Sequence, residues 1–196
     1  MSKLLFINAC VRWNKSRTKI LCDRFLENFT RLNPHVTIET VDLTQVDFPC
    51  LDDAVIEKRE ALIIEENYTD RMFNAAKQFA GADKIVIGAP HWDFSFPAVL
   101  KCYIENICVR GITFQYGPEG LMGICKAEKM LYITTAGGKI YGGDLGFVYL
   151  KELFTSLFGI NAFEYIAAEE LDIEGYDVTS IMNKKITEID KLAQTF

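Results

Sequence analysis

A buried strand that leads directly into a proline-started loop constrains the fold of this chain most. Residues 84–94 read Lys-Ile-Val-Ile-Gly-Ala-Pro-His-Trp-Asp-Phe. A short apolar run bounded by turn residues is consistent with a strand that is buried on both faces of a sheet. Because ligands bind just beyond the carboxyl ends of strands in open parallel sheets, we expect the loop after this strand at a binding site.

Strand-like and helix-like segments alternate along the chain. Apolar or alternating runs predict strands at 3–9, 36–41, 85–89, 129–135 and 161–167. Helical spacing of apolar residues predicts the main helices at 18–31, 69–80, 97–109, 145–158 and 176–192. Strands separated by helices pair in parallel through right-handed crossovers. We therefore predict one α/β domain over residues 1–196, with a five-stranded, doubly wound parallel sheet and helices on both faces.

Composition disfavours several classes of partner. The chain carries 27 acidic and 21 basic residues, a net charge of −6, which opposes attraction to nucleic acid and to anionic membranes. No apolar run approaches the ~18–20 residues that cross a bilayer. The six cysteines show no C-x-x-C spacing, and no charged-then-apolar leader stands at the N-terminus. We therefore expect a soluble protein in a reducing, cytoplasmic setting.

The polar loop at 10–18 follows the first predicted strand and brings Ser16 and Thr18 to the start of the next helix. Free backbone N–H groups at a helix start, together with these hydroxyls, form a receptor for a phosphate. The basic residues nearby are Arg12, Lys15 and Arg17. The alternative is that Ser16 only caps the helix. The loop matches neither G-x-G-x-x-G nor G-x-x-x-x-G-K-[ST], so it is neither a dinucleotide fingerprint nor a nucleoside-triphosphate cradle.

The loop at 90–94 combines a rigid start with aromatic side chains. Pro90 fixes its own φ, while Trp92 and Phe94 could contact the apolar parts of a flat ring and backbone amides its polar edge. The alternative is that each aromatic side chain, taken alone, only fills space in the hydrophobic core. His91 is one of only two histidines, so neither a metal site nor a histidine-based triad is expected. His91 is interpreted as a loop residue.

A glycine pair follows the fourth predicted strand in Thr135-Ala136-Gly137-Gly138. Glycine lets a backbone approach a ligand closely and aim its N–H groups at it, although turn formation alone would also use two glycines. This segment and the loops at 10–18 and 90–94 all stand at the carboxyl ends of predicted strands. Three unrelated segments would rarely all stand at the carboxyl ends of strands by chance. The three segments together therefore predict a flavin site.

Two further features are open to structural and functional interpretations. Cys10 ends a strand, but no histidine is placed by the sequence to activate it, which favours a free structural thiol. Residues 111–123, Gly-Ile-Thr-Phe-Gln-Tyr-Gly-Pro-Glu-Gly-Leu-Met-Gly, are either an ordinary surface loop or a cover over a pocket or a partner subunit.

The order of these motifs resembles the FMN-dependent NADH-azoreductases and the related flavodoxin-like NAD(P)H:quinone oxidoreductases along nearly the whole chain. The resemblance rests on the segments Ser16-x-Thr18, Ala89-Pro90-x-Trp92-x-Phe94, Pro97-x-x-Leu100-Lys101, Gly111-Ile112-Thr113-Phe114-x-Tyr116, Gly117-Pro118-Glu119-Gly120-Leu121 and Gly137-Gly138. It implies a flavodoxin-like sheet with the strand order 2-1-3-4-5.

The resemblance also implies roles for particular residues. The FMN phosphate would be held by Ser16, Arg17 and Thr18. The isoalloxazine and ribityl chain would lie against Pro90, His91, Trp92, Asp93 and Phe94. The other implied cofactor contacts are Cys10, Thr135, Ala136, Gly137 and Gly138. Family members are typically homodimers in which the phenylalanine of the Thr-Phe-x-Tyr segment reaches the neighbouring subunit's pocket, and the resemblance makes Phe114 its counterpart. Tyr141 lies where related quinone reductases carry a substrate-contacting tyrosine.

Asp93 departs from the family pattern. Family loops often carry Met-Tyr-Asn-Phe where this chain has His91-Trp92-Asp93-Phe94. A carboxylate beside a reduced, anionic flavin raises the energy of the added charge. We therefore expect Asp93 to be protonated, or turned away so that only its backbone contacts the cofactor.

The resemblance implies FMN as cofactor and NADH or NADPH as electron donor. Hydride would pass from the nicotinamide to the flavin and then, by a ping-pong mechanism, to a flat, electron-poor quinone, azo compound or nitroaromatic, with no catalytic side chain. The alternative is a flavodoxin-like electron carrier that does not itself oxidise NAD(P)H, whose acidic surface would suit basic redox partners. The aromatic excursion at 111–123 favours the enzyme, because it is better suited to enclosing a small substrate.

Overall fold

Five parallel strands form the central sheet of the chain, and a separate hairpin lies outside it. The computed structural model describes residues 2–196. The strands are β1 (Lys3–Asn8), β2 (Thr37–Asp42), β3 (Lys84–Gly88), β4 (Phe114–Gly117), β5 (Gly120–Gly123), β6 (Lys129–Thr135) and β7 (Ala162–Ala168). The α-helices are α1 (Arg17–Leu32), α2 (Asp53–Ile64), α3 (Asn74–Ala80), α4 (Ala98–Ile107), α5 (Leu145–Leu153) and α6 (Val178–Leu192). Within the described residues, no helix is long and apolar enough to span a bilayer.

The sheet has the order β2-β1-β3-β6-β7, and every neighbouring pair of strands is parallel. This order confirms the predicted five-stranded, doubly wound sheet, because these strands are the five that the sequence predicts. Their bounds differ from the predicted ones by at most one residue at either end. The carboxyl ends of the strands therefore meet at one edge, as a ligand site requires.

Both faces of the sheet are buried, because the inner strands contribute side chains alternately to two apolar cores. In β1, Leu4 and Phe6 belong to the core beneath α1 and α6. Leu5 and Ile7 belong to the core beneath α3, α4 and α5. This alternation is the period-two geometry of a strand, and it fixes the register of the sheet, since a shift by one residue would exchange the two faces.

Two predicted helices have different limits in the structure. The predicted helix at 69–80 becomes α-helical only at Asn74, after a 3₁₀ turn. The predicted helix at 145–158 changes from an α-helix to a π-helical turn at Phe154–Phe158 and ends at Gly159, whose φ is 79°. Glycine is favoured at that end because a Cβ is disfavoured in the left-handed region.

Residues 111–123 contain an antiparallel hairpin formed by β4 and β5. From the sequence this glycine-rich segment is interpreted as a loop or a cover, an interpretation that did not predict these strands. The hairpin turn, Pro118-Glu119, lies between Gly117 and Gly120. Gly120 has a φ of 108°, which residues with a Cβ rarely adopt. The glycines therefore shape a hairpin turn rather than an irregular loop.

The hairpin lies at the amino edge of the sheet, opposite the loops that follow β1, β3 and β6. Helix α5 begins beside the carboxyl edge, and its π-helical end leads into β7 at the amino edge. At that end the Cys125 N–H donates to the Phe158 carbonyl at 3.3 Å. A Cβ on Gly123 would lie 2.1 Å from the backbone nitrogen of Gly159. The hairpin is thus held away from the carboxyl edge of its own chain.

Candidate functional site

Loops at the carboxyl edge of the sheet enclose a cavity of about 180 Å³. They follow β1, β3 and β6, and the loop after β7 adds one residue. The lining consists of Arg12, Lys15, Ser16, Arg17, Thr18, Pro90, His91, Trp92, Thr135, Gly137 and Asp172. Three of these side chains are cations and one is an anion, so the cavity suits an anionic group.

Ser16 forms the N-cap of α1 and leaves two backbone donors free. Its Oγ accepts a hydrogen bond from the Lys19 N–H at 3.2 Å, so the capping interpretation is correct. The N–H groups of Arg17 and Thr18 donate to no acceptor among the described residues. Free N–H groups at a helix start, reinforced by the helix dipole, are suited to binding phosphate. The cap and the phosphate receptor are therefore compatible.

Thr18 joins the start of α1 to the end of β6. Its fully buried hydroxyl lies 2.7 Å from the hydroxyl of Thr135. One hydroxyl donates and the other accepts, so each of the two buried groups has a partner in this contact. The contact fixes the spacing between the free N–H groups of α1 and the glycine loop after β6.

Arg17 ties the start of α1 to the loop after β7. Its guanidinium donates to the Leu171 carbonyl at 2.6 Å and to the Asp172 carboxylate at 2.7 Å. Gly137 makes this arrangement possible, because a Cβ on Gly137 would lie 2.3 Å from Asp172 Oδ2. A side chain at Gly137 would therefore displace the Asp172 carboxylate from this position.

Gly138 has no such packing requirement. A Cβ on Gly138 would meet no atom within 4 Å. The N–H groups of Gly137 and Gly138 donate to no acceptor among the described residues. This stretch of backbone is therefore open to a ligand that needs close approach and hydrogen-bond donors.

A tight turn places aromatic side chains beside the cavity. Trp92 and Ser95 exchange backbone hydrogen bonds of 2.9 and 2.8 Å. Asp93 and Phe94 between them have φ values of 50° and 64°. Aspartate tolerates this region better than most residues, whereas a bulky phenylalanine is strained there, and such strain clusters at functional sites. Trp92 lines the cavity, while the side chains of Asp93 and Phe94 are exposed outside its lining.

His91 lies behind this turn, next to a buried carboxylate. Its backbone N–H donates to the Thr135 carbonyl at 3.0 Å, and its Nδ1 lies 3.5 Å from Asp144 Oδ1. Asp144 caps α5 through the Phe147 N–H at 3.1 Å and accepts from the Tyr165 hydroxyl at 3.1 Å. Burial, reinforced by the Asp144 charge, raises the pKa of Tyr165. The Tyr165 hydroxyl therefore stays protonated and donates to Asp144.

Cys10 is buried beneath the cavity. Its Sγ lies 3.6 Å from the Gly88 carbonyl, and a Cβ on Gly88 would lie 2.4 Å from Cys22 Sγ. The adjacent Cys22 thiol, with a smaller contribution from Ser16, lowers the pKa of Cys10, while burial raises the pKa of Cys22. This position fits a structural thiol, and a contact between Cys10 and a cofactor stays a prediction.

The predicted site residues fall into two groups. The cavity lining includes Ser16, Arg17, Thr18, Pro90, His91, Trp92, Thr135 and Gly137. Outside the lining are Cys10, Asp93, Phe94, Ala136, Gly138, Phe114 and Tyr141. Phe114 lies on the hairpin at the opposite edge of the sheet, and Tyr141 is 73% exposed in the loop before α5. The structure thus brings neither of the two predicted substrate contacts to the cavity of its own chain.

Two aspartates of the site were not predicted from the sequence. Asp144 does carry a local signal, because an aspartate just before an apolar helical run is a typical N-cap. Asp172 carries none, since its partner Arg17 is 155 residues away. Within residues 2–196, no three His, Cys, Asp or Glu side chains cluster as metal ligands would.

The sheet order, the free donors at the start of α1 and the cavity at the carboxyl edge define a flavodoxin-like protein. Residues 2–193 match the family Flavodoxin_2, which is described as a flavodoxin-like fold. The chain belongs to this family.

Similar proteins align with the chain over its full length. An "FMN-dependent NADH:quinone oxidoreductase 2" of Clostridium acetobutylicum is 39% identical over 202 residues and covers 100% of both chains. An "FMN-dependent NADH:quinone oxidoreductase" of Caldicellulosiruptor bescii is 34% identical over 202 residues, again with 100% coverage of both. The structure of an FMN-dependent NADH-azoreductase from Bacillus anthracis in complex with FMN has a TM-score of 0.84 and 27% identity, covering 100% of this chain and 99% of that one.

Proposed function

We propose that this protein is an FMN-dependent oxidoreductase that oxidises NADH and reduces quinones or azo compounds. The cavity at the carboxyl edge carries the proposal, because its cations and free N–H groups suit the phosphate of FMN. Relatives that align over the whole chain have this activity in their names, which supports the choice of cofactor, donor and acceptor.

The residues of the cavity fit the phosphate end of the cofactor. Asp172 partly neutralises Arg17 through their 2.7 Å contact. Arg12 and Lys15 also line the cavity and take part in no ion pair among the described residues. With the free N–H groups of Arg17 and Thr18, they would hold a phosphate dianion. Lysine and arginine around a helix start are common partners of such a group.

The flat ring of FMN would lie beyond the enclosed part of the cavity. A pocket for a ligand of drug-like size measures about 300–1,000 Å³, more than the 180 Å³ enclosed here. Trp92 at the cavity mouth and the open backbone at Gly138 are the surfaces left for the ring and its polar edge. One face of the ring would then be reached by a donor and an acceptor in turn.

We further propose a homodimer that covers this open side. Phe94 is 67% exposed and Tyr116 is 70% exposed. The first turn of α5 continues the apolar surface beside Phe94. Leu145 in this turn is exposed. Gly146 packs closely against the backbone of Ser95, since a Cβ on Gly146 would lie 3.3 Å from the Ser95 carbonyl carbon. Exposed apolar patches of this kind mark interfaces. In such a dimer Phe114 of the partner subunit would complete the substrate pocket.

Bound FMN would supply the redox chemistry, accepting a hydride from NADH and passing two electrons to the acceptor. The residues of this chain bind the phosphate, present the N–H groups of the glycine loop and limit the ring to one orientation. Planar, electron-poor acceptors suit that geometry, and we extend the proposal to nitroaromatics. Because donor and acceptor would use one site in turn, we expect parallel lines in double-reciprocal plots, and intersecting lines would contradict the ping-pong order.

Anaerobic addition of NADH to the FMN-loaded protein tests the proposed activity. We expect NADH alone to bleach the flavin absorbance and a quinone to restore it. A flavin that stays oxidised until a separate reductase is added would instead identify an electron carrier. NADPH in a parallel run gives the donor preference. The proposed setting is the cytoplasm, which the six free thiols favour.

A further inference from the structure

Two cysteines outside the cavity lie with their sulfur atoms in contact. Cys50 Sγ is 3.5 Å from Cys102 Sγ, and both are free thiols. Cys50 lies in residues 43–51, the irregular segment between β2 and α2, and Cys102 lies on α4. A disulfide bond is about 2.05 Å long, so the sulfur atoms must approach by about 1.5 Å to form one. Rotation of the Cys50 side chain and a small shift of the segment are enough, because Cys50 is exposed.

Contacts just before Cys50 hold the segment against α4. The Asn106 Nδ2 group on α4 donates to the Pro49 carbonyl at 2.9 Å. The Phe48 ring meets the Tyr103 ring of α4 edge-on, with 5.1 Å between the ring centroids. These contacts fix which part of the segment lies over α4.

The chain beyond Cys50 is also attached to α4. Asp52 caps α2 by accepting from the Val55 N–H at 2.9 Å. Arg59 on the same helix donates to the Glu105 carbonyl of α4 at 3.3 Å. Because the chain is tied to α4 on both sides of Cys50, the contact between the two sulfur atoms follows from the fold of the segment and not from one side-chain rotamer.

The two thiols differ in how easily an oxidant in solution reaches them. Cys50 is exposed, whereas Cys102 is partly buried. Burial, with a smaller contribution from the Cys50 thiol, raises the pKa of Cys102, so Cys102 keeps its proton. We therefore expect Cys50 to meet the oxidant and Cys102 to react with it afterwards. An accessible thiol next to a second, resolving thiol is a common arrangement in redox sensors.

The other four cysteines do not offer the same chemistry. Cys10 and Cys22 are neighbours, but both are buried. Burial raises the pKa of Cys108 to about 11 and that of Cys125 to about 12. Cys125 Sγ donates to the Thr113 carbonyl at 3.4 Å rather than to a thiol. An exposed sulfur atom in contact with a second one is therefore found at the junction of the 43–51 segment and α4.

We propose that Cys50 and Cys102 form a reversible disulfide when the protein meets hydrogen peroxide, and that this bond locks residues 43–51 onto α4. The Cys50 sulfur, as thiolate, attacks one peroxide oxygen, so that an S–O bond forms, the O–O bond breaks and one water leaves. The Cys102 sulfur then attacks the Cys50 sulfur, so that the S–S bond forms, the S–O bond breaks and a second water leaves. The two thiols lose two electrons, the peroxide gains them, and the two thiol protons leave in the two water molecules.

The disulfide would constrain a defined part of the surface. Residues 46–49 form one wall of a groove that β2, α2 and α3 also line, and the bond would hold this wall in place. In a reducing compartment the pair would rest as thiols and be oxidised only transiently. Neither Cys50 nor Cys102 lines the cavity at the carboxyl edge, so this inference does not rest on the proposed function.

Peptide mapping after peroxide treatment tests whether the bond forms. We expect the intact chain to lose the mass of two hydrogen atoms, the Cys50 peptide to be joined to the Cys102 peptide, and dithiothreitol to restore all six thiols. Trypsin cuts after Lys101 and Arg110, which leaves Cys102 and Cys108 on one peptide. Cys108→Ser removes that ambiguity and should form the same cross-link.

Thermal unfolding and amide hydrogen exchange test whether the bond locks the segment. We expect peroxide to raise the unfolding midpoint of the unmodified protein by about 5–10 °C, because the bond closes a long loop. Exchange in residues 43–51 should slow at the same time. Cys50→Ser and Cys102→Ser should show neither change, and comparing each variant before and after peroxide removes any effect of the substitution itself. Cys108→Ser is the matched control and should show both changes.

Other outcomes would overturn the proposal. Sulfinic or sulfonic acid on Cys50, with Cys102 still open to alkylation, would show that the two sulfur atoms do not react with each other. A cross-link between two chains would show that the contact within one chain is not used. A cross-link within the chain that changes neither the midpoint nor the exchange would show that the bond locks nothing.

Discussion

The hydroxyl groups of Thr18 and Thr135 lie 2.7 Å apart in the interior and join the start of α1 to the end of β6. Thr18→Val or Thr135→Val alone leaves the other buried hydroxyl without a partner, which we expect to lower the free energy of unfolding by about 1–3 kcal/mol. The double valine variant removes both hydroxyls and should cost less than the sum of the two single changes. Urea unfolding of the apoprotein measures all three. Additive costs would show that the two hydroxyls are not coupled.

The glycine pair after β6 offers a matched comparison. Gly137→Ala places a Cβ 2.3 Å from Asp172 Oδ2, so the contact between Arg17 and Asp172 must shift. We expect it to lower both the stability of the apoprotein and its affinity for FMN. Gly138→Ala meets no protein atom, so the apoprotein should keep its stability, and only FMN affinity should fall, by about tenfold for one obstructed contact. Thermal unfolding and FMN titration give the two readouts. Unchanged FMN affinity in Gly138→Ala would place the cofactor elsewhere.

Substitutions of Asp93 test the interpretation of the tight turn between Trp92 and Ser95. The φ of 50° at Asp93 is acceptable for aspartate or asparagine but strained for a β-branched residue. Asp93→Asn should therefore leave the stability and the FMN affinity nearly unchanged, whereas Asp93→Val should cost about 1–2 kcal/mol of stability. Denaturant unfolding and fluorescence titration measure these effects. A large gain in reduction potential in Asp93→Asn would instead mean that the carboxylate faces the flavin.

Acid stability depends in part on Asp190. Arg24 binds it through two hydrogen bonds of 2.7 Å, and this guanidinium lowers the pKa of Asp190. A lowered pKa in the folded state gives stability that is present above the ordinary aspartate value of about 3.9 and is lost as the pH falls through the lowered value. In Asp190→Asn the difference in unfolding free energy between neutral and acidic pH should shrink. An unchanged difference would show that the pair adds nothing to acid stability.

Self-association should depend on the exposed hairpin. Tyr116→Glu places a charge on a side chain that is 70% exposed, so it should leave folding unchanged. If the proposed homodimer buries this hairpin, the same change should shift the protein toward monomer in sedimentation velocity and weaken acceptor turnover. His35→Gln, at a separate exposed position, is the control. An unmodified protein that sediments as a monomer at all concentrations would exclude the dimer.

Local patterns predicted the sheet and most of the residues that line the cavity, but not Asp172 or the buried Asp144 behind it. The strand at 84–88 could be found because its side chains are buried on both faces, which gives a continuous apolar run. The role of Ser16 as a cap is equally local, because cap and helix are adjacent. Asp172 and Asp144 act through partners that are distant in sequence, and no local pattern encodes such contacts. The hairpin of β4 and β5 was missed because its glycines, one of them at positive φ, also occur in loops.

The affinity of the apoprotein for FMN compared with riboflavin, which lacks the phosphate, tests the central claim most directly. The account predicts that FMN binds about a hundredfold or more tightly, since charge-assisted hydrogen bonds contribute about 1.5–3 kcal/mol each. Arg12→Ala and Lys15→Ala should lower FMN affinity and leave riboflavin affinity unchanged. Equal affinity for the two flavins, or no binding of either, would contradict the assignment of this cavity to the FMN phosphate.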